Sequence, residues 1–149
     1  MTLEMIEMWH KRARPTPDDA AFQVQLGCHF EEIDELLASL DSDRPEVRNN
    51  ISTCRLMLAR IAGALKANEA DIFIDDRIEF ADAMADQIVT AVGALYCAMM
   101  PASAVVAEIS RSNWSKFDEN GNPYTDDKGK IKKGPRYSPP DLASLKGVK

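Results

Sequence analysis

Six carboxylates fall in two clusters whose spacing suits a helix and whose chemistry suits a hard cation. Phe30 to Leu37 reads FEEIDELL and carries Glu31, Glu32 and Glu35; Ile78 to Ile88 reads IEFADAMADQI and carries Glu79, Asp82 and Asp86 at i, i+3 and i+7. Residues three and four apart share a helix face, so each trio lies on or near one stripe. The apolar residues Phe30, Ile33, Leu36, Leu37, Met84 and Ile88 are interleaved with them and would bury the same helices against neighbours. Two acidic stripes brought together repel unless something positive sits between them. Carboxylate oxygens suit magnesium or manganese in that position. A pair of solvated helix faces is the alternative that spacing alone leaves open.

At these residues the chain resembles the all-α nucleoside triphosphate pyrophosphohydrolases, the superfamily of MazG-like proteins, dimeric dUTPases and phosphoribosyl-ATP pyrophosphohydrolase. Their signature is a Glu-Glu-x-x-Glu helix followed, one helix-loop later, by a helix with Glu-x-x-Asp. Glu31, Glu32 and Glu35 match the first motif completely. The second fits in two registers: Glu79-Phe-Ala-Asp82 has the literal spacing, while Ala85-Asp86-Gln-Ile is similar to the Ala-Asp-Leu-Leu that follows the motif's first acid in many relatives. In that register the earlier acid falls on Ala83, and Asp82 would substitute from one position before it. Near the C-terminus the resemblance narrows to a phage-type, MazG-like subset, through Arg111-Ser-Asn113-Trp-Ser115-Lys116, then Gly121-Asn-Pro123-Tyr124, then Lys133-Gly-Pro135-Arg136-Tyr137-Ser-Pro139-Pro140-Asp141-Leu142.

The resemblance implies Mg²⁺-dependent hydrolysis (Mn²⁺ is the other candidate) of a nucleoside triphosphate to the monophosphate and pyrophosphate. It assigns metal binding to Glu31, Glu32, Glu35, Glu79, Asp82 and Asp86, and catalysis to Glu32 and Glu35, with one glutamate of the first motif as general base in place of a direct ligand. By the same analogy Asn113, Ser115, Lys116 and Lys133 grip the triphosphate, which ammonium groups and amide or hydroxyl donors are suited to do. Gln23, Gln25 and Trp114 are candidates for recognising or stacking on the base. Candidate substrates are dUTP, dCTP and noncanonical nucleotides, in a house-cleaning or pool-adjusting role. Phosphoribosyl-ATP fits less well, because the long basic arm is foreign to that compact enzyme.

The elements that must position these residues are helical throughout, so the expected fold is all-α, a bundle of four to five helices over 1–112 with a turn-rich, basic arm over 113–149. Leu3 to Ala13 forms a short amphipathic helix, and RPTPDD breaks it, offering an aspartate N-cap. The next helix, 20–40, brings Phe22, Leu26, Phe30, Ile33 and Leu37 to one side. A third, 45–68, starts at Pro45, is capped by Asp43 or a neighbour, and places Val47, Ile51, Leu58, Ile61 and Leu65 at helical spacing. Gly63 within it is expected to mark close packing. Asp75 or Asp76 caps a fourth helix, 77–100, whose later half is apolar through Ile88, Val89, Val92, Leu95, Tyr96 and Met99. That half is either central to the domain or part of a subunit interface, and the superfamily's usual dimers or tetramers favour the interface. Pro101 stops it, and a short helix covers 102–112.

The arm is rich in turn formers, at Asp118-Glu-Asn-Gly121 and Asp126-Asp-Lys-Gly129. It is not an EF-hand: a loop starting at Asp118 has Pro123 at its sixth position and Gly129 at its twelfth. Trp114, Phe117, Tyr124, Ile131 and Tyr137 are too many anchors for a solvating tail. Surface solubility is the reading for Lys128, Lys130 and Lys132.

The whole chain, 149 residues with a formal charge of −6, has the size of one ordinary domain. Residues 1–110 hold nine Lys or Arg against nineteen Asp or Glu, and 111–149 hold nine against five. An acidic body with a basic tail argues against a nucleic-acid partner and suits a body that holds metal beside a tail that meets phosphates. No run is apolar for the roughly 18–20 residues a bilayer requires. The acidic, mixed start MTLEMIEMWHKR is no signal sequence, so no membrane partner and a cytoplasmic location are expected. Cys28, Cys54 and Cys97 read as buried thiols of a reducing compartment, and with only His10 and His29 as imidazoles there is no zinc pattern. His29, beside the first motif, is a lesser candidate to orient a ligand. The reading from another class is a catalytically inactive helical interaction protein of a phage or mobile element. It would have no need of six acids at metal-compatible spacing.

Overall fold

The computed structural model describes residues 3–126 and 131–145, and over these the fold is all-α. Its helices are α1 (Leu3–Ala13), α2 (Asp19–Ala38), α3 (Pro45–Lys66), α4 (Arg77–Cys97) and α5 (Ala102–Trp114), followed by one 3₁₀ turn at Ala143–Leu145. Among the described residues there is no strand, only isolated antiparallel bridges between Phe117 and Pro123 and between Thr125 and Ile131. No single described helix is long and apolar enough to cross a membrane.

Local chemistry sets the helix ends. Asp18 starts α2 by accepting the Ala21 amide at 2.7 Å, and Asp76 starts α4 by accepting the amides of Ile78 and Glu79. α3 departs from expectation: its N-cap is Arg44, with no side-chain cap, and Pro45 supplies the preset φ instead. α3 and α4 stop at Lys66 and Cys97, two and three residues before their expected ends at 68 and 100. Each is followed by a residue in the left-handed region, Asn68 (φ 55°) and Met99 (φ 58°), which closes the last carbonyls through Glu69 N–H to Ala64 O and Met100 N–H to Leu95 O. α5 runs two residues past its expected end, so Asn113 and Trp114 form its last turn.

The chain divides into two compact units, Pro17–Asp75 and Met1–Thr16 with Asp76–Lys149. The first is a hairpin of α2 and α3. Gly27 lies against Ala62 and Leu65 while Asp34 meets Arg55, so α3 runs back along α2. A Cβ on Gly27 would stand 3.0 Å from the Ala62 carbonyl, 3.1 Å from Leu65 Cβ and 2.9 Å from Lys66 Cγ. Ala21, Ala62 and Leu65 are buried at this contact, and Phe22, Leu26, Phe30, Ile33, Leu37, Ile51 and Leu58 are half-buried along the hairpin. The close-packing glycine is therefore Gly27. Gly63, the expected one, has no atom within 4 Å of an added Cβ because it faces away from α2.

In the other unit α1 is joined to the arm. Trp9 stacks on Phe117 with centroids 5.4 Å apart, Trp114 meets Phe117 edge-on, and Trp9 Nε1 donates to the Asn113 carbonyl at 3.0 Å. Arg12 donates to the carbonyls of Asn120 and Gly121, which belong to the turn that Asp118 closes by accepting the amides of Asn120 and Asn122. Gly121 has φ +77°, so that turn needs glycine for its backbone and for the Arg12 guanidinium packed against it. Phe117 is buried, which agrees with the reading of its aromatics as anchors. The expected turn at 126–129 lies outside the described residues from 127 on, as do Lys128 and Lys130.

α4 buries no residue, and the chain turns by 116° between it and α5. Among the described residues, none of its apolar half belongs to the buried core. The thiols also depart from expectation: Cys54 and Cys97 are exposed, on faces of α3 and α4 that no described residue covers, and only Cys28 is half-buried.

Because Gly27 is filled against backbone and Gly63 is open, alanine should act oppositely at the two sites. Gly27→Ala adds an overpacking cost of about 1–3 kcal/mol against a helix-propensity gain of about 1 kcal/mol, and lowers the melting temperature. Gly63→Ala has only the gain and raises it. Thermal unfolding followed by circular dichroism checks both, and a rise at Gly27 would show that the hairpin is not close-packed there.

Candidate functional site

The first acidic motif lies in the C-terminal half of α2. Glu31 is half-exposed, and both its oxygens accept from Lys66 Nζ, at 2.8 and 2.7 Å. Asp34 accepts from Arg55 Nε at 2.7 Å. Glu32 and Glu35, three residues apart, are exposed on the same helix. Lys66 and Arg55 went unnoticed in the sequence, since only the hairpin register brings α3 residues 35 and 21 positions away onto α2. One weak signal existed: a cation in the last turn of a helix, where Lys66 sits, is favoured by the helix dipole. The positive partner of Glu31 in this chain is accordingly an ammonium group.

The second acidic set lies on α4, in the other compact unit. Glu79 is in the first turn, where Asp76 holds its amide, and Asp82 and Asp86 follow; all three are exposed. Both registers of the second motif therefore end on an exposed acid. Among the described residues no three His, Cys, Asp or Glu side chains converge into a group able to hold a metal ion. The donor type still suits a hard divalent cation: Glu31, Glu32 and Glu35 offer carboxylate oxygens alone, with Glu31 already held by Lys66. His29 is half-buried and tilted against the Phe30 ring, with centroids 6.3 Å apart.

The residues assigned to the triphosphate fall at the end of α5 and along the arm, and they have partners within the chain. Asn113 Oδ1 accepts from Lys116 Nζ at 2.8 Å. Ser115 Oγ donates to the Ser112 carbonyl and accepts the Ser138 amide at 2.8 Å, which ties the arm back to the helix. Lys133 Nζ stands 4.7 Å over the Tyr137 ring. Gln25 is exposed on α2. Gln23 Oε1 and Trp114 Nε1, of the base-recognition candidates, are buried atoms without a hydrogen-bond partner, in separate units. Such orphaned polar atoms ask for a partner.

No protein-family model, curated protein or solved structure matches this chain.

One further group was missed by sequence reasoning. Glu108 of α5 accepts twice from Arg111, at 2.9 and 2.8 Å, and also takes the Asp141 amide at 2.7 Å, while Arg111 donates to the Pro139 carbonyl. Arg111 first, and the Asp141 amide second, hold the Glu108 carboxyl down at about 2, from 4.5. The same pairing raises Arg111. These contacts wall a cleft of about 450 Å³ between α5 and the end of the arm, with Ala104, Ala107 and Leu145 as its apolar lining. Of its three charged residues, Glu108 and Arg111 pair with each other, and Asp141 contributes its amide to Glu108.

The folded value of Glu108 lies below its ordinary one, so the tether contributes fully above pH 4.5 and is lost as pH falls toward about 2. The Glu108 side-chain carboxyl carbon resonance should titrate with a midpoint near 2, and Glu108→Gln should loosen the Asp141 amide, read as faster hydrogen exchange. A midpoint near 4.5 in the unmodified chain would mean that Glu108 does not hold the arm.

Proposed function

We propose that this chain is a magnesium-dependent nucleoside triphosphate pyrophosphohydrolase of the cytoplasm, which releases a nucleoside monophosphate and pyrophosphate in a house-cleaning role. The observation that supports this most is the arrangement on α2: Glu31 fixed by Lys66, with Glu32 and Glu35 exposed at the spacing of the motif. A lysine holding one carboxylate offsets part of the motif's charge along that helix face, beside exposed carboxylates whose oxygens suit a hard cation.

When bound, magnesium supplies neutralisation of phosphate charge and a water of lowered pKa. The chain's own residues do the rest. A carboxylate oxygen of Glu32 or Glu35 accepts the proton of the attacking water, and Lys66 positions Glu31 beside them. The resemblance also assigns metal binding to Glu79, Asp82 and Asp86 of α4. Lys116 and Lys133 can neutralise a triphosphate by exchanging Asn113 Oδ1 and the Tyr137 ring for phosphate oxygens, which are stronger acceptors for an ammonium group.

A panel of NTPs and dNTPs incubated with the purified protein and magnesium should release pyrophosphate from at least one member. Glu32→Gln should reduce that release at least about 100-fold, the usual reach of general acid–base help, with the far-ultraviolet helical signal unchanged. Orthophosphate in place of pyrophosphate, or full turnover by Glu32→Gln, would refute the assignment. Silence across the panel would favour the inactive interaction protein.

A further inference from the structure

Lys66 stands between two acceptors on α2, and only one of them is satisfied. Gln23, Gly27 and Glu31 recur at steps of four, so they share the stripe of α2 that faces α3. Ala62 and Leu65 lie against Gly27, and the stem of Lys66 crosses the same glycine, its Cγ 2.9 Å from where a Cβ would be. From there the ammonium group reaches one turn along α2 and donates to both oxygens of Glu31, at 2.8 and 2.7 Å. One turn the other way lies Gln23, whose Oε1 is buried without a hydrogen-bond partner. Each acceptor is four residues from Gly27, about 6 Å along the helix axis, within the sweep of a lysine whose stem rests on that glycine. The backbone around Lys66 is fixed, since the Ala67 amide donates to the Gly63 carbonyl and the Glu69 amide to the Ala64 carbonyl. Movement is therefore confined to the outer end of the side chain.

We propose that Lys66 is a two-position counter-cation: it holds Glu31 in the cation-free chain, and turns to Gln23 Oε1 when the carboxylates of α2 take up a divalent cation. The inference rests on the reading of Glu31, Glu32 and Glu35 as a cation site, and adds how that site is kept in order before loading. Two arguments carry it. A divalent cation on the Glu31 carboxylate would stand within a few ångströms of the ammonium charge, and like charges at that distance repel. A buried acceptor left without a donor is costly, so the displaced ammonium group is most stabilised at Gln23. Glycine at position 27 leaves the path between the two acceptors clear of a side chain. An ordered water on Gln23 Oε1 is the competing account, and it links Gln23 to cation affinity in no way.

Manganese binding to the full chain, followed by loss of the free-ion paramagnetic resonance, reads the exchange without reference to turnover. Lys66→Met, which keeps a stem over Gly27, should tighten binding at least about 10-fold, the scale of a hydrogen bond to a charged group. Gln23→Leu should act in the opposite sense and weaken it about 5-fold, the scale of one neutral hydrogen bond. Its melting temperature should not fall, because it removes an unpaired buried acceptor. The double variant should bind like Lys66→Met alone. Added magnesium should shift the Gln23 side-chain amide resonance in the unmodified chain and leave it in place in Lys66→Met. Single substitutions that change affinity in the same direction or not at all, or a double variant that keeps the loss due to Gln23→Leu, would overturn the two-position lysine and leave the cation site standing. Failure of both the unmodified chain and Lys66→Met to bind manganese would overturn the cation site, and this inference with it.

Discussion

The contact on which the α2–α3 unit depends is the close approach of the helices at Gly27. With no Cβ there, the Ala62 carbonyl and the Leu65 side chain come within distances that any other residue would obstruct, and Leu65 is fully buried as a result. That approach sets the register of the hairpin. The register then decides which α3 side chains reach which acids on α2, and so delivers Lys66 to Glu31 and Arg55 to Asp34. The electrostatic character of the candidate site is in this sense a consequence of packing. Half-exposed pairs of this kind contribute little to stability, because solvent screens them; their effect is to orient a carboxylate.

The unit that contains α1, α4 and α5 is held by different means. Its described core is small, with Phe117 as the buried aromatic and Trp9 and Trp114 packed on it, and much of its cohesion is polar: Arg12 on the Asp118 turn, Ser115 on Ser138, Glu108 on Arg111 and the Asp141 amide. Short polar tethers of this sort define geometry without burying apolar area. On α4, Phe80, Met84 and Leu95 are half-buried, while Ile88, Val89, Val92 and Tyr96 stay exposed among the described residues.

The helices were legible because their causes are local. Apolar spacing, Asp18 and Asp76 as caps, and Pro45 and Pro101 as boundaries act within a turn or two of chain, so four starts were readable to within a residue. Errors arose where a distant neighbour decides. Gly63 looked like the packing glycine by its place in an apolar helix, yet only the partner helix determines which glycine it approaches, and it approaches Gly27. Cys54 and Cys97 looked buried because apolar neighbours surround them in the sequence, but on a helix adjacent residues point to different faces. Of the candidate site, the acids and the arm's signature residues were visible as types and spacings. The cations on Glu31 and Asp34, the Ser138 amide on Ser115 and the Asp141 amide on Glu108 were not, since each comes from 21 or more residues away.

The sequence by itself determined the all-α class, the helix spans to within a few residues, the two acidic stripes and the polarity of the tail, because each follows from the identity of residues within a few positions of one another. Tertiary structure alone decided that α1 belongs with the arm, that an ammonium group holds Glu31, and that Glu108 holds the arm at Asp141. Each of those needs two segments far apart in sequence to meet, and the free energy that selects such a meeting comes from close packing and hydrogen-bond geometry, which no local pattern encodes.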